Sequence, residues 1–417
     1  MGSSPMPPRL WLWFWIAIAF VSAVDAASVC RLTGSVQLQT YGYQDTNGAD
    51  HLWLMPAADL SFYHARIPLS LHFSSGYRGD NADDFSRSGK LRLTKGYLQY
   101  NCQSQASEMR VGRFFLNHGV ALGVIDGIDA THRWGKSIET TLFAGLMGPL
   151  ARDFAFEKPK EALGFGGMVR FTPASFPYTQ HSSFALSYIH QTRDGSVIRN
   201  RIGLNSYHKL AGGFAWFNTA HFRAQGGVLR KIISRLRYGS SSWSGMVEGG
   251  MATPDIEEYS WFNGFGEAEY FRFRFAADRW VVPAKWGFGL RGTLLIEDKT
   301  GIRLGPVVSI PWGQVGYNLA LGDKSRSSGP WINLAYRPYS HIMLRASAAQ
   351  TTYKWEALDI ESNDLVMVNF GAEYSIPFVR DLAITAEYQL YQSPQFKQDR
   401  RAQGGLVWRF DTGEGRQ

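Results

Sequence analysis

Val366-Met367-Val368-Asn369-Phe370-Gly371-Ala372-Glu373-Tyr374-Ser375 alternates without a break. Val366, Val368, Phe370, Ala372 and Tyr374 share one face; Met367, Asn369, Gly371, Glu373 and Ser375 share the other. Successive side chains on a strand point to opposite faces, so this stretch predicts a strand with one apolar side and one wet side. Its length suits a tilted strand crossing a hydrocarbon layer of ~30 Å.

The same pattern continues outward from it. In 382–391, Leu382, Ile384, Ala386, Tyr388 and Leu390 oppose Ala383, Thr385, Glu387, Gln389 and Tyr391. In 286–297, Trp286, Phe288, Leu290, Leu294 and Ile296 oppose Arg291, Thr293 and Glu297; in 302–310, Ile302, Leu304, Val308 and Ile310 oppose Arg303 and Ser309. One such strand would fit a soluble sandwich equally well. Their number decides. Tracing the chain from residue 31 predicts an even count between 18 and 22, and 137–147 and 257–262 are the weakest members of the full 22. A sandwich of that many strands would have an interior too large to fill. Tyr, Trp and Phe recur near the ends of the apolar faces, where a membrane meets water. The expectation is an all-β chain, an antiparallel up-and-down transmembrane β-barrel over residues 27–410.

Composition agrees. Of 417 residues, 19% are charged, below the ~25% of a soluble domain, and 14% are aromatic. Mean hydropathy is −0.21, too polar for a bundle of membrane helices. No stretch after the first segment is apolar for the ~18 residues that a spanning helix needs.

That first segment reads as an export signal, residues 1–26. Arg9 precedes the apolar run Leu10–Val24, and Val24-Asp25-Ala26 offers small residues for cleavage before Ala27. Removing it takes away one Arg and one Asp, so the net charge stays at +8. For an exported chain, nucleic acid is not the expected partner. Anionic lipopolysaccharide, membrane lipid and anionic solutes are.

Connections alternate in length. Arg193-Asp194-Gly195-Ser196, Pro338-Tyr339-Ser340 and Ile376–Arg380 read as short turns; Asp80–Gly89, Lys354–Asp364 and Gln392–Arg400 read as longer polar loops. Short turns belong at the periplasmic side of such barrels and long loops outside. An even strand count puts both termini at the periplasmic side, with 411–417 as a short tail there. Cys30 and Cys102 both fall at that end, where a disulfide is permitted. Their strands are not neighbours, which speaks against one.

Alternation assigns Arg199, Arg201, Arg272, Arg274, Arg291, Arg303, Arg337, Arg345 and Arg409 to the interior, with Glu297, Glu373 and Glu387. Fixed charges along a wet passage select ions by sign, and an arginine excess favours anions.

Two stretches carry a family resemblance. Leu406, Trp408 and Phe410 share one face of the last strand, 402–410, which resembles the C-terminal signal by which the insertion machinery recognises outer-membrane barrels. Asp411–Gln417 follows it, whereas most such proteins end on the aromatic. The run Arg110-Val111-Gly112-Arg113-Phe114-Phe115-Leu116-Asn117-His118-Gly119, continued to Asp126-Gly127-Ile128-Asp129, is similar to a stretch recurring in porin-like outer-membrane proteins, a Val-Gly-Arg strand running into an Asp-Gly loop. The resemblance covers about 20 residues of 417 and otherwise rests on pattern. The loop is too apolar to lie freely in water, so it either caps the barrel or folds inward, the latter putting Asp126, Asp129, His132 and Arg133 at a constriction. Arg113 shares a face with Met109 and Val111 unless Gly112 marks a bulge.

No enzyme is expected. Ser182 and His208 neighbour His181 and Ser206 in sequence, but a Ser and a His that close along one strand do not pair. No His-x-His or His-Glu-x-x-His metal pattern and no phosphate-binding glycine loop occurs, and no cofactor is implied. The expected function is passive passage of small anionic or polar solutes through a Gram-negative outer membrane. The alternative is a sheath around a periplasmic or lumen-bound partner such as a multihaem cytochrome, as in barrels resembling the porin of porin–cytochrome conduits.

Overall fold

A computed structural model describes residues 30–44, 49–64, 66–80, 90–102, 106–148, 162–253, 269–282, 285–297, 300–322, 326–355, 360–379, 381–393 and 399–412. The signal segment, the strand expected at 257–262 and most of the tail lie outside these residues.

The described residues form 22 strands. They are β1 (Cys30–Gln44), β2 (Asp50–His64), β3 (Leu69–Asp80), β4 (Lys90–Asn101), β5 (Ser107–His118), β6 (Ala121–Trp134), β7 (Ile138–Gly148), β8 (Leu163–Phe171), β9 (Thr179–Arg193), β10 (Ser196–Leu210) and β11 (Phe214–Arg223). They continue as β12 (Leu229–Gly239), β13 (Trp243–Ala252), β14 (Tyr270–Val282), β15 (Trp286–Ile296), β16 (Thr300–Ile310), β17 (Gly313–Gly322), β18 (Arg326–Tyr339), β19 (Ile342–Trp355), β20 (Ile360–Ser375), β21 (Leu382–Gln392) and β22 (Asp399–Asp411). Each pairs antiparallel with the next, and β1 pairs with β22, so the sheet closes on itself. Closure leaves no edge strand at the first and last elements, which is what a hydrocarbon surround demands. The seam is reinforced where Arg31 pairs with Asp411 and the Leu32 amide donates to Thr412 Oγ1 at 3.0 Å.

The start of β1 and the end of β22 lie at one end, called here the terminal end. The connections there run from two residues, after β16, to seven, after β8. At the far end they run from two, Gly119-Val120, to the seventeen between Ala252 and Tyr270. The Asp194-Gly195 turn belongs to the far end. Its two residues have positive φ, 50° and 81°, as a tight hairpin turn requires, so length alone misplaced it among the terminal-end turns. Exposed Trp134, Phe171, Trp216, Trp243, Trp286, Trp312 and Tyr339 ring the terminal end as an aromatic girdle.

Of the segment 120–129, expected as a loop, 121–129 is strand. β6 pairs with β5 over twelve residue pairs and with β7 over eleven. Its period-two signal is hidden because its far half is apolar on both faces, and both faces pack. The bulge suggested at Gly112 is also absent there. The ladder runs unbroken through Gly112 on both sides, and the irregularity sits one strand back, opposite Ser74/Ser75 on β4.

Gly112 instead belongs to a row. Gly112 pairs with Gly127, Gly127 with Gly145, and Gly145 with Gly164. Four neighbouring strands therefore carry no side chain along one transverse line. A Cβ at Gly112 would strike the Gly96 carbonyl, at Gly127 the Ala144 carbonyl, and at Gly145 the Gly127 Cα. Gly112 has φ +126°, open to few other residues. The sheet creases inward along this line, and the concave side of a crease has no room for side chains.

Cys30 and Cys102 form no disulfide. They start β1 and follow β4, two strands intervene, and strands spaced ~4.8 Å apart carry the pair beyond the ~4.4–6.8 Å Cα separation of a bridge.

Candidate functional site

Beyond the crease, the β5–β6 hairpin leaves the wall and enters the barrel. Its tip is Gly119-Val120, with φ +64° at Gly119. The Val120 amide donates to Ser187 Oγ on β9 at 3.2 Å, and Arg199 Nη1 on β10 donates to the Leu122 carbonyl at 3.4 Å. β6 and β9 are separated by two strands, so these bonds cross a chord of the interior. This contact settles which face is inside. Ser187 and Gly203 face the lumen; Leu186 and Leu204, on the opposite face, are 50% and 48% exposed and face outward.

An apolar cluster holds the hairpin down. Phe114, Leu116, Val120, Ala121 and Ile125 pack with Phe143, Met147 and Ile189, all fully or nearly buried. Burial of apolar area stabilises by ~25 cal/mol per Å², and this cluster gathers about half of the buried apolar side chains among the described residues, whose exposed apolar side chains mostly face outward.

The four residues expected at a constriction are distributed differently. Asp129 is buried; it accepts from Arg110 at 3.0 and 3.1 Å and contacts His118 Nε2 at 2.7 Å. Asp126 accepts from Arg113 Nε and Nη2 at 2.6 and 2.8 Å. Register places Asp126 and Arg113 on the outer face with Val111 and Ile128, yet their side chains are 7% and 2% exposed. Arg113 does share the face of Met109 and Val111, and a bidentate partner makes that position tolerable. His132 bonds Ser107 Oγ at 2.6 Å, and Arg133 bonds Glu139 near the terminal end. The carboxylates are consumed by ion pairs and do not form a charged ring; the constricting element is the hairpin's backbone and apolar cluster.

The strongest charge lies on the next part of the wall, beginning at the strand that Arg199 ties to the hairpin. From β10 to β16 the inner face carries Arg199, Arg201, Lys209, Arg223, Lys231, Arg235, Arg237, Arg272, Arg274, Arg291 and Arg303. Among the described residues of these strands the inward acids are Glu248 and Asp278. Glu248 is 1% exposed and lies within a fork of three arginines. Arg235 Nε donates to it at 2.6 Å and Arg272 Nη2 at 3.0 Å, with Arg274 Nη1 at 3.5 Å. Arg223, Lys231, Arg235, Arg237 and Glu248 were missed in the sequence, although Lys231, Arg235 and Arg237 alternate with Ile232 and Leu236.

The rest of the wall is balanced. β17–β22 and β1 turn inward Gln314, Asn318, Asn333, Asn369, Gln389, Gln403, Gln37 and Gln39. Their charges pair locally: Arg345 with Glu373 at 3.3 Å, and Arg401 with Asp399 at 2.6 Å. Glu387 accepts from Gln389, and Arg409 pairs in register with Ser35 on the inner face. Glu297 is not on a strand; it follows β15 at the far rim. Arg337 falls in the irregular end of β18, where register with β19 slips. Leu406, Trp408 and Phe410 pair with Leu38, Val36 and Gly34 on the outward face.

Ser182 and His208 do pair, across β9 and β10 rather than along one strand, at 3.1 Å. Both are buried beneath Phe176 and Phe184, so the hydroxyl is shut off from a substrate. Among the described residues no group of three or more metal-ligating side chains converges.

The fold resembles solved barrels. The translocation pore of the P pilus usher PapC aligns with a TM-score of 0.50 at 9% identity, over 91% of this chain and 99% of that one. Acinetobacter baumannii OccAB4 aligns at 0.45 and 9%, over 93% and 99%. Pseudomonas aeruginosa OccK2 (OpdF), solved with glucuronate, aligns at 0.42 and 7%, over 92% and 98%. At these identities the likeness is one of fold. No protein-family model and no curated protein matches the chain.

Proposed function

We propose that this chain is a passive outer-membrane channel that favours anionic solutes. A closed barrel with an apolar outer face and an aromatic girdle suits a membrane in which strands, not helices, cross. Lipid and lipopolysaccharide then contact the outer face, and both termini lie on the periplasmic side. The observation that carries the anion preference is the arc from β10 to β16, eleven cations against two inward acids. One of those acids, Glu248, is already neutralised by arginine, which leaves the arc a net positive wall. Anionic solutes of the carboxylate kind are the natural cargo for forked guanidinium donors.

The hairpin, latched to β9 and β10, narrows the lumen beside this arc, so permeation runs past an apolar knob and along a cationic wall. A knob in the lumen also weighs against the barrel acting as a sheath around a folded partner. The test is single-channel conductance in a planar bilayer under a salt gradient. Stepwise conductance with a reversal potential set by the anion is expected. A folded barrel that never conducts would overturn the reading and return the sheath to first place.

A further inference from the structure

Between β4 and β5 the wall is split over its far half. The strands pair over six residues, Gly96–Asn101 with Glu108–Arg113, and the ladder stops there. β4 continues to Lys90, paired with β3. β5 continues to His118, paired with β6 alone, because this part of it has folded into the lumen. The displacement is built in: it is creased at the glycine row, packed around Phe114 and Leu116, and latched to Ser187. At the fork of the split, Arg113 donates to the Leu93 carbonyl at 3.1 Å.

The two lips of the split are apolar on the outer face. Leu91 is 44% exposed and Phe115 is 40% exposed. Just inside, Arg92 points to the lumen by its register with Gly76. Its Nε is buried and has no hydrogen-bond partner. A guanidinium donor held short of an acceptor, behind an apolar slot that opens toward the bilayer, is matched by a molecule with both characters.

We propose that this split is a side door between the lumen and the far half of the membrane, used by a single-tailed amphiphile with an anionic head. The tail passes between Leu91 and Phe115 while the head is received by Arg92. The proposal rests on the barrel spanning a membrane as argued above, but not on its conducting ions.

The test uses a long-chain carboxylate with a photoreactive group on its tail, incubated with the full-length barrel in vesicles. Crosslinks at 91–93 and 115–124 are expected, and Arg92→Gln should weaken them ~tenfold while chloride conductance is unchanged. An uncharged long-chain alcohol should crosslink equally weakly to both proteins. Leu91→Glu, which charges a lip without touching the latch, should abolish labelling. Label confined to the arginine arc, equal label in Arg92→Gln, or label displaced equally by a short-chain carboxylate would each overturn the door. Chloride conductance keeps the two readings apart. A barrel that conducts and takes no label at the split loses the door and keeps the pore; one that labels there and does not conduct keeps the door and loses the pore.

Discussion

Two stretches of one wall solve the same problem in opposite ways. From β17 to β22 most of each strand keeps its alternation, charges pair with a neighbour on the same or the next strand, and the lumen face stays wet. From β4 to β8 alternation fails, four glycines line up, and a hairpin turns inward with apolar side chains on both faces. The first stretch shows a wall in which every strand keeps one wet and one apolar face. The second shows what it takes to give that up: backbone must approach backbone, charges must be neutralised where they lie, and a hydrophobic cluster must replace the lost ladder.

Glycine substitution should separate the two stretches most sharply. Gly145→Val puts a side chain into the backbone of β6, and no barrel should form; the measure is heat-modifiable migration of refolded protein. Gly371→Val, in the regular wall, meets nothing closer than 3.7 Å and should fold. Normal migration of the first variant would remove the case for the crease.

Ion pairs give the next contrast. Asp126→Ala leaves Arg113 buried without its bidentate partner and should cost ~3–5 kcal/mol. Glu373→Ala leaves Arg345, whose side chain is 61% exposed, and should cost ~0–1 kcal/mol. Urea unfolding in vesicles reads both, and equal losses would contradict the difference in burial.

Selectivity should shift more modestly. Reversing Arg291 and Arg303 together alters the unbalanced arc and should lower anion preference a few-fold in reversal-potential measurements. Reversing Arg345 alone, in the balanced arc, should move it less. The same change from both would mean that net charge, not its placement, sets selectivity. Smallest of all, reductant should leave migration and stability unchanged, because Cys30 and Cys102 are not bridged.

The regular strands were legible because each carries its own evidence. Val366–Ser375 and Leu382–Tyr391 alternate in the sequence and pair in the structure with the apolar set outward. Arg272, Arg274, Arg291 and Arg303 could be assigned to the lumen for the same reason. Inward folding of 110–129 was legible as one of two alternatives; that the inward element is a β-hairpin was not. Residues 114–125 are apolar on both sides, which one chain segment expresses identically whether it is a loop, a buried strand or a lid. The Ser182–His208 pair was hidden by reasoning along each strand when the contact runs between two.

By itself, then, the sequence determined the class of fold, the outward and inward faces of most strands and the excess of lumen cations, because a period of two is a local property that each strand states on its own. The crease, the inward hairpin, the split beside β4 and the fork around Glu248 were decided by tertiary structure. Each depends on register, which sets Gly112 beside Gly127 and Glu248 beside Arg235 and Arg274, and register is settled only when separate strands come together.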